Sequence, residues 1–167
     1  MAFAEGGIMG NGIEIERKFL IEYPDLDIIS AQKGYYKSDI LQTYLAKEGA
    51  RVRARRYDGK TVYYHTEKKK ITDISRIENE REISKEEYDS LIKNADKTRK
   101  PIKKTRFVFE FSGHVFEIDV YPFWQDVAIM ETELSKEDEE IVFPTFIKII
   151  KEVTHDERYT NASLAKL

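Results

Sequence analysis

The stretch that decides the fold runs Ile13-Glu14-Ile15-Glu16-Arg17-Lys18-Phe19-Leu20-Ile21. In an extended backbone, successive side chains point to opposite faces. Glu14, Glu16 and Lys18 therefore share one face of a predicted strand, and the other face is mostly apolar. The charged face of such a strand either contacts solvent or forms part of a charged site.

The composition describes one globular domain. The chain has 167 residues, of which 41% are hydrophobic and 35% charged, with a net charge of −3. This near balance gives no general indication of a nucleic-acid or membrane partner, and no apolar run approaches the roughly 20 residues of a membrane span. The sequence has no cysteine, which excludes thiolate chemistry and fits a cytoplasmic location.

The chain divides into a short leader and one domain. We expect residues 1–12 to be a flexible leader or a cloning remnant, because they lack the basic and apolar regions of a signal peptide. Residues 13–167 are expected to form the domain. A homodimer is the default expectation for its assembly.

Eight stretches alternate in polarity, which predicts eight strands. They lie at residues 13–21, 35–47, 50–57, 60–68, 74–83, 102–111, 114–121 and 127–134. Turn signals such as Asp58-Gly59 connect neighbouring strands as hairpins. Eight antiparallel strands lose their exposed edges most simply by closing into a barrel.

Helices are predicted between and after these strands. A short helix is expected within residues 22–34, and Ser84 opens a capping box that predicts a helix to about Ala95. Ser135 is expected to cap a short acidic helix. Residues 143–153 have the apolar spacing of an amphipathic helix.

Nearly every predicted strand has one charged face. The charged residues are Glu14, Glu16, Lys18, Arg53, Arg55, Lys68, Arg76, Glu78, Glu80, Lys104, Arg106, Glu117, Asp119, Glu131 and Glu133. In an ordinary barrel these faces contact solvent. The opposite faces are aromatic and the helices need a sheet to pack on, so an inverted barrel with a charged lumen is equally open.

A lumen that holds both charge signs has a specific chemical use. Buried carboxylates need cations, and Mg²⁺ or Mn²⁺ prefers oxygen ligands. Arginine suits bidentate contacts to phosphate. Carboxylate-bound metal beside a cationic surface is typical of a phosphoryl-transfer site.

The sequence resembles the CYTH superfamily, or triphosphate tunnel metalloenzymes, over residues 13–161. The resemblance rests on an ExExK motif at residues 14–18, followed in the family's order by Arg53-x-Arg55, Thr66-x-Lys68, Arg76-x-Glu78-x-Glu80, Lys104-x-Arg106, Glu117-x-Asp119 and Glu131-x-Glu133. It implies a short bacterial-type member: a mainly β, eight-stranded closed antiparallel barrel with helices packed outside, which binds a triphosphate with Mg²⁺ or Mn²⁺.

The resemblance also implies site residues. Those expected to hold metal are Glu14, Glu16, Asp119, Glu131 and Glu133. Those expected to bind phosphate are Lys18, Arg53, Arg55, Lys68, Arg76, Lys104, Arg106 and Arg158, the last by closing over the tunnel. Those expected to support the cations are Glu78, Glu80 and Glu117. Lys68 is the candidate proton acceptor or water-positioning group, because surrounding cations should lower a lysine pKa, and Tyr44 is the candidate that orients it.

The leading functional prediction is metal-dependent hydrolysis of a triphosphate, with inorganic tripolyphosphate as substrate and pyrophosphate and phosphate as products. Two other enzyme activities stay open, namely a class IV adenylate cyclase and a thiamine triphosphatase. A polyphosphate-binding module without catalysis is the alternative from a different class.

Overall fold

Eight antiparallel strands close into a barrel in the computed structural model, which describes residues 10–72 and 74–166. Their bounds are β1 Gly10–Glu22, β2 Tyr36–Tyr44, β3 Ala50–Tyr57, β4 Lys60–Lys70, β5 Ser75–Ile83, β6 Ile102–Phe111, β7 His114–Val120 and β8 Val127–Glu133. The order around the barrel is β5-β4-β3-β2-β6-β7-β8-β1, and β1 pairs again with β5. The predicted barrel is confirmed.

The long strand β1 closes the barrel by pairing with two strands in succession. Its first half pairs with β5, where Glu14 lies opposite Arg76. Its second half pairs with β8, where Glu16 lies opposite Glu133 and Lys18 opposite Glu131. Residues 10–12, predicted as part of a leader, belong to this strand. Residues 1–9 lie outside the described residues.

The helix predicted over residues 143–153 is wrong. The chain there turns at Pro144, whose carbonyl accepts from the amide of Ile147 at 3.2 Å, and then forms a ninth strand, β9 Ile149–Glu152. β9 pairs with the edge of β1 that β5 leaves free, and the amide of Val153 donates to the carbonyl of Lys18 at 2.8 Å. A spacing of apolar residues that suits a helix also suits a strand when a free edge supplies backbone partners.

Within the described ranges the α-helices are α1 Leu26–Ser30, α2 Lys85–Ile92 and α3 Asn161–Leu164. The predicted cap of α2 is confirmed, because the Ser84 hydroxyl accepts from the amide of Glu87 at 3.1 Å. The short helix predicted after Ser135 is wrong. Ser135 instead donates from its amide to the Glu139 carboxylate at 2.8 Å, which closes a turn. No helix of the described part is long and apolar enough to span a membrane.

The apolar strand faces point outward, where other segments cover them. Phe109, Phe116 and Met130 are fully buried against α1 and residues 141–149. A second cluster packs α2 on β3 through Tyr88 and Val52. The charged faces are therefore left inside, so the inverted barrel is the observed one.

A third apolar cluster fills one end of the lumen. Its members are Leu20, Ile102, Tyr121, Ile129, Val153 and Ala165. By strand alternation, the first four share the strand faces that carry the charged side chains. The last two belong to the chain after β9, so the C-terminal segment lies over this end of the barrel.

Candidate active site

The charged strand faces enclose a cavity of about 1070 Å³. The predicted site residues that line it are Glu14, Glu16, Lys18, Tyr44, Arg53, Lys68, Arg76, Glu78, Glu80, Arg106, Glu117 and Glu131. They come from all eight of the barrel strands and meet only because the sheet closes. The structure thus brings most of the predicted site residues together.

Five predicted site residues do not line this cavity. Lys104 and Asp119 are buried in the wall as an ion pair at 2.7 Å. Glu133 is half-buried opposite Glu16, and Arg55 lies 5.8 Å from the ring centroid of Tyr64. The side chain of Arg158, which was expected to close over the tunnel, is 78% exposed and pairs with Asp156 at 2.7 Å.

One wall of the lumen is crowded with carboxylates from β1, β5 and β8. Burial raises the pKa of Glu16 to about 7, and the charges of Glu131 and Glu14 act in the same direction. Burial, together with Glu14 and Glu16, raises the pKa of Glu133 to about 7. Burial also raises the pKa of Glu14. The negative charge of this wall is therefore only partly compensated by neighbouring cations.

The cations nearest to this wall are Lys68 and Arg76. Lys68 Nζ lies 3.1 Å from Glu14 and 3.6 Å from Glu78. Arg76 lies 3.6 Å from Glu16. Lys68 was expected to lie among cations, whereas its ion-pair partners are carboxylates. In the described ranges, Glu133 has no lysine or arginine within ion-pair distance.

The acidic wall fits a divalent cation in its donor chemistry. Carboxylate oxygens are the ligands that Mg²⁺ and Mn²⁺ prefer, and the buried Oε2 of Glu78 has no hydrogen-bond partner. The raised pKa values of Glu16 and Glu133 also indicate that these carboxylates have too little positive charge near them. Even so, no three acidic or histidine side chains of the described part are close enough together to hold an ion in this arrangement.

The other charged part of the lumen, the cationic wall, consists of tightly paired cations from β1, β3 and β6. Lys18 lies 3.2 Å from Glu131, and Arg53 pairs with Glu80. Although burial acts in the opposite direction, Lys18 and Arg106 hold the pKa of Glu131 well below its usual range. Burial lowers the pKa of Lys104 to about 8.

Arg106 is the most constrained cation of this wall. It donates through Nε and Nη2 to Asp119 at 2.8 and 2.9 Å, and its Nη1 lies 2.8 Å from Glu117. Burial raises the pKa of Glu117 to about 7 even beside this guanidinium. A bidentate pair of this kind holds the guanidinium plane in a fixed orientation.

Sequence reasoning missed two arginines that line the cavity, Arg51 and Arg99. The strand alternation of β3 could have identified Arg51, which shares a face with Arg53. Its charge also contributes, after that of Arg53, to lowering the pKa of Glu80 against the effect of burial. The guanidinium of Arg99 lies 5.1 Å from the ring centroid of Tyr44. Because Arg99 comes from the connection between α2 and β6, no periodic pattern marks it.

Several guanidinium groups keep buried donors without a protein partner. These donors are the Nε atoms of Arg51, Arg53 and Arg76. A buried donor without a partner costs free energy, and an anion in the cavity relieves that cost. The cationic wall therefore suits a small polyanion that accepts several hydrogen bonds.

The fold and the lumen together define a triphosphate tunnel barrel. The sequence profile of the CYTH domain matches residues 12–160, and the chain belongs to the CYTH family. Over 156 residues it is 32% identical to the inorganic triphosphatase of Acetivibrio thermocellus, and the match covers 93% of this chain and 94% of that protein.

Solved structures share this fold. The inorganic triphosphatase NE1496 is 27% identical, with a TM-score of 0.54 and coverage of 91% of this chain and 93% of that one. The PH1819 protein from Pyrococcus horikoshii OT3 is 19% identical, with a TM-score of 0.54, over 75% of this chain and 80% of that one. At this lower identity the likeness shows the fold alone.

Proposed function

We propose that the protein hydrolyses inorganic tripolyphosphate to pyrophosphate and phosphate with the help of Mg²⁺ or Mn²⁺. The observation that carries the proposal is a closed lumen in which a crowded acidic wall adjoins several buried cations. The similarity to an inorganic triphosphatase over nearly the whole chain supports the same substrate class. Metal dependence is typical of CYTH triphosphatases.

The cationic wall binds the phosphate chain in this proposal. Lys18, Arg53 and Arg106 offer charge-assisted donors that a polyphosphate accepts in place of the present carboxylate partners. Arginine adds orientation because its planar guanidinium matches two phosphate oxygens at once. A linear polyanion of three phosphates offers more acceptor oxygens, spread over a greater length, than an isolated phosphate ion.

The acidic wall holds the divalent cation. We assign this role to Glu14, Glu16 and Glu133, with Glu78 in support, because these carboxylates crowd one another. The bound cation supplies positive charge that offsets the negative charge of the phosphate oxygens. The other two predicted ligands, Glu131 and Asp119, are instead paired with Lys18 and Lys104.

The chemistry is attack of water on a terminal phosphorus. A new bond forms between the water oxygen and phosphorus, the bridging P–O bond breaks, and pyrophosphate leaves with the bonding electron pair. Lys68 lines the cavity beside the acidic wall, where its Nζ group positions the water, and the proton that the water loses passes to the leaving pyrophosphate. Positioning and charge neutralisation provide most of the catalysis in reactions of this type.

A substrate panel tests the proposal. The purified protein is incubated with tripolyphosphate, ATP or thiamine triphosphate, with Mg²⁺, Mn²⁺ or EDTA, and the products phosphate, pyrophosphate and cyclic AMP are measured. We expect equal amounts of phosphate and pyrophosphate from tripolyphosphate, and none with EDTA. Cyclic AMP and pyrophosphate as the main products would instead establish a cyclase, and tight tripolyphosphate binding without turnover would establish a binding module.

A matched pair of variants ties the activity to the lumen. Arg53→Met removes a cation of the cavity, whereas Arg56→Met removes an exposed cation from the same strand. We expect only the first variant to lose activity. Equal activity of both folded variants would place the reaction outside the lumen. The homodimer, the cytoplasmic location and the role of Arg158 stay predictions.

A further inference from the structure

Gln42 is a buried amide on the lumen face of β2 that the proposed reaction does not yet use. Its side chain is 0% exposed. The Nε2 group donates to the hydroxyl oxygen of Tyr44 at 2.8 Å, and Oε1 has no protein hydrogen-bond partner. An apolar side chain of the same size would avoid the cost of the unpaired oxygen. We therefore look for the role of Gln42 in its Nε2 donor group.

The donor group determines what the hydroxyl of Tyr44 does. A tyrosine hydroxyl has one proton to donate and lone pairs that accept. Because Gln42 donates to the oxygen, the hydroxyl proton stays available for another acceptor. Tyr44 lines the cavity, and Arg99 lies over its ring at 5.1 Å, so the ring is held from a second side.

We propose that Gln42 is a positioning residue that holds the Tyr44 hydroxyl as a hydrogen-bond donor to the lumen. This inference rests on the proposed hydrolysis. There the hydroxyl donates to a phosphate oxygen on which negative charge increases as the bridging bond breaks. A donor fixed before the reaction stabilises that charge without reorganising. Such a hydrogen bond strengthens in the transition state, so its loss lowers kcat more than it raises KM.

The test is a double-mutant cycle on tripolyphosphate hydrolysis. Gln42→Met keeps the side-chain volume but removes the donor, and Tyr44→Phe removes the hydroxyl. We expect Gln42→Met to lower kcat at least about tenfold, with KM changed less than about twofold. In the Tyr44→Phe background, Gln42→Met is expected to cause no further loss. A merely structural residue would lower kcat by the same factor in both backgrounds.

Gln42→Glu tests the direction of the hydrogen bond. A carboxylate can only accept, so it would take the Tyr44 proton away from the lumen. We expect kcat to fall at least as far as in Gln42→Met. Retained activity in Gln42→Glu would overturn the proposal, since it would mean that Tyr44 donates to residue 42.

The control and the remaining outcomes separate this inference from the proposed function. Thr43→Val changes a buried side chain of the same strand on its opposite face, and we expect it to keep kcat. Thermal unfolding confirms that each variant is folded. Full activity of Gln42→Met, or losses that multiply with Tyr44→Phe, would overturn the inference alone. An inactive wild-type protein would overturn the proposed function and this inference together.

Discussion

Replacing Glu16 by glutamine should stabilise the metal-free protein while abolishing its activity. Glu16 is buried with a pKa raised from 4.5 to about 7, first by burial and then by neighbouring carboxylates. A carboxyl group whose pKa changes by this amount on folding costs up to about 3 kcal/mol of stability once it is ionised. Glutamine has nearly the same shape and carries no charge, so Glu16→Gln should raise the free energy of unfolding by that amount.

The gain in stability depends on pH in a defined direction. Above pH 7 both folded and unfolded states ionise Glu16, and the full cost is present. As the pH falls through 7, the folded protein takes up the proton first, so the cost decreases to less than about 1 kcal/mol at pH 5. We therefore expect Glu16→Gln to unfold at a higher temperature than wild type at pH 8, by roughly 2–4 °C per kcal/mol, and at nearly the same temperature at pH 5.

The assay is thermal unfolding at pH 5 and pH 8 in EDTA, followed by hydrolysis with Mg²⁺ or Mn²⁺. Glu140→Gln, which changes an exposed glutamate, is the control and is expected to alter neither measurement. The variant should also lose the stabilisation that Mn²⁺ gives to wild type. A Glu16→Gln protein that is less stable than wild type at pH 8, or that keeps full activity, would refute the reasoning.

Two further substitutions test the structure around the site. Asp119→Asn leaves two buried cations of β6 without their shared carboxylate, so we expect a loss of about 3 kcal/mol in urea unfolding; a loss below about 1 kcal/mol would contradict the pairing. Gly49→Ala should destabilise more than Gly59→Ala. Both residues have φ near +75°, but only at Gly49 would a methyl group clash, with the carbonyl oxygen of Lys68. Equal unfolding temperatures of the two variants would contradict that contact, and we expect only the first to reduce hydrolysis.

The strands were predictable because the two faces of each strand differ strongly in polarity. Alternation in β1 places Glu14 and Glu16 on one side and Phe19 on the other without any knowledge of the neighbours. The segment that became β9 was misassigned because its state depends on a distant partner. Its backbone bonds to residues such as Lys18 in β1, more than 100 positions earlier in the chain.

The site residues that lie on strands could be predicted from the sequence. Site residues in loops, and the ion pairs that form inside the lumen, could not. Period-two spacing could have found Arg51, whereas Arg99 comes from a connection without a pattern. The partners of Lys68 could not be read from the sequence either, because barrel closure places it beside Glu14, 54 residues away. Arg158 donates to the nearby Asp156 instead of reaching over the tunnel. A sequence motif does not show which of these two arrangements an arginine adopts.

A crystal structure with tripolyphosphate and Mn²⁺ tests the central claim most directly. The account predicts three phosphates inside the barrel, in contact with Lys18, Arg53 and Arg106. It also predicts an anomalous Mn²⁺ peak beside the carboxylates of Glu14 and Glu16. Phosphate and metal bound only outside the barrel, with the lumen ion pairs unchanged, would contradict it.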